Sequence, residues 1–132
     1  MTYADGLQLA ARVLLSWMFL QSAYAHFTQV KAMGAYAKGA GVPLPEAAVV
    51  GTGFMLLGGG LSLLLGFHPR IGAALLFVFL VVVAFWMHGF WRETDPMQRG
   101  SQRAQFWKNI TLAGAMLYII ANTGWPWPWA IG

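Results

Sequence analysis

Between Glu46 and Arg92 the chain carries a single formal charge, on Arg70. That one feature narrows the folds open to it. The apolar stretch on either side of Arg70 is about 20 residues long, which matches a hydrocarbon core of about 30 Å at 1.5 Å of helix rise per residue. A soluble domain carries about 25% charged residues, whereas this 132-residue chain carries 9%, with 58% hydrophobic. A small domain buries only part of its apolar surface, so water is excluded as the main solvent. The sequence is that of an integral membrane protein.

Four apolar runs are legible: residues 7–27, 47–67, 71–91 and, shorter, 106–122. Backbone groups in lipid must be satisfied within the segment, so each run is expected as a helix. The fold class expected is all-α, an integral membrane four-helix bundle in one domain covering residues 1–132. The flank before the first run contains Asp5 and no Lys or Arg. It lacks the positive region of a signal peptide, and the run is expected to be a retained helix. In residues 28–46, Val30, Met33, Tyr36 and Ala37 recur at helical spacing, which predicts a short interfacial helix. Pro43, Pro45 and neighbouring glycines then turn the chain into the second span. The tight His68-Pro69-Arg70 link makes the second and third spans antiparallel neighbours. A Trp/Pro tail occupies residues 124–132.

Lys31, Lys38, Arg92, Arg99 and Arg103 lie in the loops 28–46 and 92–105, with Lys108 close by, whereas the opposite side has only Arg70. The positive-inside rule places those loops in the cytoplasm and both termini outside. The net charge of +4 suits an acidic lipid surface, and no nucleic-acid recognition motif is present. Cysteine is absent, which excludes disulfides, thiolate metal sites and a Cys nucleophile.

Helices in lipid associate through close van der Waals contact. Gly58, Ser62 and Gly66, four apart, form a small-residue stripe, widened by Gly59 and Gly60 and expected to pack the second span, with Gly114 serving the fourth; a Gly-rich ligand groove is the alternative. Trp125, Trp127 and Trp129 are expected to anchor the tail at the interface or to dock a partner. Ionisable residues at membrane depth are functional hypotheses by default. For Arg12 the choices are snorkelling or an anion or carbonyl contact inside the bundle, which makes it a further candidate ligand-binding residue, with Asp5, Asn122 and Thr123 as neighbours on that side. His26 and His88 fall at one level from two different spans, together with Trp91, Lys108 and Asn109. These residues make a candidate polar ligand site suited to a quinone. Haem or metal is the less favoured occupant, and loop-bonded interfacial histidines are the plainer reading. No paired carboxylates lie inside the spans, and no metalloprotease, phosphate-loop or serine-hydrolase motif occurs.

In sequence order the chain has an early span-one Arg, then Lys31 and the turn Gly41-Val42-Pro43-Leu44-Pro45. A Gly-rich second span follows, ending Leu65-Gly66-Phe67-His68-Pro69-Arg70, then His88-Gly89-Phe90-Trp91, then Phe106-Trp107-Lys108-Asn109. From Arg12 to Tyr118 this order resembles the DoxX family of small four-helix bacterial inner-membrane proteins. The resemblance implies a multi-pass inner-membrane fold and an association with membrane redox assemblies; the family name is tied to a thiosulfate:quinone oxidoreductase subunit. Many relatives carry a Glu in the second span where this chain reads Phe54-Met55-Leu56-Leu57, which weakens an enzymatic reading. The favoured expectation is an accessory or structural subunit docking on a larger membrane complex or on copies of itself. The alternative is a small quinone- or ligand-binding redox protein acting through His26, His88 and Lys108.

Overall fold

The computed structural model describes every residue except Thr123 and Trp125. Among the described residues the secondary structure is helical throughout, with no strand. The order is α1 (Tyr3–Thr28), α2 (Val30–Gly39), α3 (Pro45–Leu65), α4 (Pro69–Met87), a single 3₁₀ turn (Phe90–Arg92) and α5 (Pro96–Ala121).

Local chemistry sets these boundaries. Thr2 and Asp5 form a reciprocal capping box at the start of α1. The bonds from Thr2 hold the Asp5 carboxyl below its ordinary value. Proline occupies the first turn of α3, α4 and α5, where its missing N–H costs nothing. α5 starts ten residues before the expected span at 106, because Asp95 caps the Gln98 N–H and Pro96 fixes the first turn. A helix can begin in a polar segment that an apolar run cannot include. The short helix expected between the first two spans is α2. At the α3–α4 turn, Gly66 and His68 take left-handed conformations with φ of 69° and 45°. The Ser62 hydroxyl donates to the Phe67 and His68 carbonyls at 2.6 and 3.1 Å, which holds that turn closed.

α1 packs along α3, α3 along α4, and α4 along α5, while α2 lies against the start of α3. One core joins the four long helices: Phe19 and Ala23 of α1, Leu56 and Leu63 of α3, Ala73, Leu76 and Leu80 of α4, and Ala113, Met116 and Ile119 of α5. Its outer face is apolar as well. Leu14, Trp17, Phe54, Ile71, Val78, Phe85 and Leu117 are all exposed, and that much apolar surface requires lipid against it. Among the described residues α3, and α4 with the turn to Arg92, are long and apolar enough to cross a membrane. α1 and α5 have 26 residues each, about 39 Å at helical rise, but they interleave polar residues with apolar ones. The architecture is an all-α membrane bundle of four long helices and one short one.

The small-residue expectation needs correction within the chain. A Cβ added at Gly58 or Gly114 would meet nothing within 4 Å, because both face outward. The close approaches fall one and two residues on. A Cβ at Gly59 would lie 2.5 Å from Leu76 Cγ, and one at Gly60 would lie 2.9 Å from Leu20. Gly72 faces Ser62 in the same way. Four-residue spacing recurs along several faces of a Gly-rich helix, so spacing alone did not identify the face in contact. Ser62 and Gly66 act at the turn, where a Cβ on Gly66 would meet Ala130 at 2.7 Å.

Candidate functional site

The end of the bundle that holds both termini is closed by Arg12. This guanidinium is only 4% exposed. Its Nε donates to the Leu63 carbonyl at 3.3 Å, one terminal nitrogen donates to Leu64 at 2.7 Å, and the other donates to Pro128. Trp127 lies under its plane, 5.3 Å from carbon to ring centroid. Leu63 and Leu64 are among the last carbonyls of α3, which have no intrahelical partner and carry the negative end of the helix dipole. Arg12 therefore caps α3 and fastens the tail across it, helped by the Ile131 N–H on the Leu65 carbonyl at 3.1 Å. Arg12 neither snorkels nor meets Asp5 or Asn122, and Thr123 lies outside the described residues. The tail expectation divides: Trp127 packs on the core, Trp129 is 60% exposed, and Trp125 lies outside the described residues.

At the opposite end the bundle opens into a cleft of about 370 Å³. Met18, Phe19, Leu56, Phe79 and Leu80 line its floor and walls, and α2 covers it through Met33, Tyr36 and Ala37. His26, His88, Lys108 and Asn109 all line it, brought in by α1, the end of α4 and α5. Gly53 lets α1 approach here: a Cβ on it would sit 3.0 Å from His26 Cβ and 3.1 Å from the Phe27 ring.

Hydrogen bonding fixes both imidazoles. His26 Nδ1 lies 2.8 Å from the Ser22 carbonyl. A carbonyl only accepts, so Nδ1 carries the proton and Nε2 of the neutral ring is a bare acceptor. His88 reaches the same state through a chain of three bonds. The Tyr36 hydroxyl donates to the Met87 carbonyl at 3.4 Å, and Gln102 Nε2 donates to the Tyr36 oxygen at 2.7 Å. That orients the Gln102 amide so that its oxygen accepts from His88 Nδ1 at 2.8 Å. Asn109 is 5% exposed, and among the described residues its amide finds no hydrogen-bond partner. Lys108 stands exposed at the rim and donates to Gln105 Oε1 at 2.7 Å.

Trp91 stands apart from the cleft. It joins an aromatic cluster with Phe85, Phe90 and Phe106 at centroid distances of 5.3 to 6.1 Å, with Arg92 over its ring. Tyr36, Gln102 and Trp86 are the members that sequence reasoning missed. Tyr36 reads as an apolar position of α2, and Gln102 belongs to a segment that reads as a solvated loop. Trp86 lines the cleft and donates to the Ala40 carbonyl at 3.0 Å, which ties the end of α4 to the end of α2. Among the described residues no group of three His, Cys, Asp or Glu side chains is placed to hold a metal ion.

A lipid-facing helical bundle with a polar-tipped internal cleft defines a small helical membrane protein. The DoxX family profile matches residues 7–89, and the chain belongs to that family. It is 31% identical over 123 residues to the inner membrane protein YqjF of Escherichia coli K12, covering 88% of this chain and 82% of that one. It is 28% identical over 118 residues to the inner membrane protein YphA of the same organism, covering 89% and 83%. No solved structure matches the chain significantly.

Proposed function

We propose that this DoxX-family inner-membrane protein binds a small aromatic ring compound of the quinone–quinol type in the cleft between α1, α4 and α5. The observation that carries the reading is an apolar chamber of about 370 Å³ whose wall carries the imidazoles of His26 and His88 and the Asn109 amide. Ligand sites are mostly apolar concavities with a few fixed polar groups, which describes this cleft. Four-span insertion, with the cleft end on the cytoplasmic side, follows from the cationic loops. Docking on a larger membrane complex is the second reading, and the exposed Trp129 on the fastened tail favours it.

The test is equilibrium binding to protein in lipid nanodiscs. A short-chain benzoquinone or its hydroquinone is expected to bind, and Val83→Trp, which fills the cleft, is expected to weaken binding at least about tenfold. Absence of binding by both probes, or binding unchanged by Val83→Trp, refutes the reading.

A further inference from the structure

Resting on that reading, we infer that the cleft selects the hydroxyl-bearing, reduced form of its ring ligand over the carbonyl-bearing, oxidised form. Each imidazole offers one free ring atom, Nε2, because Nδ1–H is committed to Ser22 in one case and to Gln102 in the other. In the neutral ring both free atoms are lone pairs. A hydroxyl donates to such an atom, whereas a ketone oxygen sets lone pair against lone pair and leaves both groups unpaired. Asn109 is indifferent, since its amide both donates and accepts. Lys108 stands exposed at the rim with one of its three N–H groups on Gln105, and the Ser22 hydroxyl both donates and accepts. The two imidazoles, each fixed as an acceptor, therefore favour a ligand with ring hydroxyls. The fixed tautomers come from backbone and amide partners within the protein, so the preference is built in before a ligand arrives. Sites that hydrogen-bond a substrate hydroxyl reject analogues that lack it far more strongly than sites that merely exclude volume.

The experiment compares three probes of one size on the wild-type protein in nanodiscs, anaerobically at pH 8. They are a short-chain hydroquinone, its benzoquinone and its dimethyl ether, which keeps the ring but loses both donors. The expected result is at least about tenfold tighter binding of the hydroquinone than of either other probe. The gap is expected to narrow in His26→Phe and in His88→Phe. Equal or tighter binding of the benzoquinone overturns the selectivity while leaving ligand binding in place. Failure of all three to bind overturns the cleft reading and the selectivity with it. The wild-type comparison requires no variant to fold.

Discussion

A single guanidinium closes one end of this protein. Arg12 has all its recorded hydrogen bonds on main-chain carbonyls, two of them at the end of a helix that has no other means of satisfying them in lipid. Arg12→Lys keeps the charge but loses the planar fork, and an ammonium on a flexible stem cannot span Leu63, Leu64 and Pro128 together. The substitution is expected to destabilise the fold by on the order of 3 kcal/mol. It should also release the tail, read as a lower midpoint in denaturant and greater quenching of Trp127. The sequence placed Arg12 at membrane depth with a carbonyl contact as one alternative, and left open which carbonyls it touched, because backbone carbonyls carry no residue signature. Ser16, one turn further along α1, presents the converse case. It is fully buried, and among the described residues its hydroxyl has no hydrogen-bond partner. Ser16→Ala removes that unpaired group, and a gain of about 1 kcal/mol in unfolding free energy is expected, measured in the same denaturant titration.

Arginine at a helix C-terminus recurs among the elements. Arg70 Nε donates to the Ile120 carbonyl of α5 at 3.0 Å, and Arg92 donates to the Phe85 and Trp86 carbonyls of α4 at 3.0 and 2.8 Å. With Arg12 on α3, three long helices end against a guanidinium from another part of the chain, where the dipole favours a cation. Arg70 and Arg92 count in the positive-inside tally, yet each also holds the fold. Packing between elements turns on which glycine faces the neighbour. Gly59→Ala is expected to destabilise by about 1 to 3 kcal/mol through overpacking against Leu76. Gly58→Ala, on the outward face of the same helix, is expected to be neutral or slightly stabilising. Thermal unfolding of the two purified variants checks the contrast, and equal effects would contradict the α3–α4 interface. The fold class, the short α2 and the proline start of α3 were legible because apolar run length and proline position act locally. Which of the adjacent glycines makes the close contact, and the early start of α5, were not, since the first depends on a partner helix and the second on one cap at Asp95.

On the scale of the whole molecule, two ends of one bundle do different work. The tail end is filled, and the loop end is hollow. Sequence reading brought His26, His88, Lys108 and Asn109 to one level by counting spans, and the structure places all four around a single cleft. It could not supply Tyr36 and Gln102, whose bond chain sets the His88 tautomer, because that chain runs between helices far apart in sequence. Trp91 shares the level but belongs to the aromatic cluster beside the cleft. The hollow end is the part of the fold that packing alone does not explain, and ligand binding there is the central claim. The most direct measurement is mass spectrometry of the protein gently extracted from its own membrane, read for bound small molecules and co-purifying chains together. A stoichiometric aromatic ring compound, lost from the Val83→Trp variant, is the expected result. Phospholipid alone, or larger subunits with an empty cleft, would contradict it.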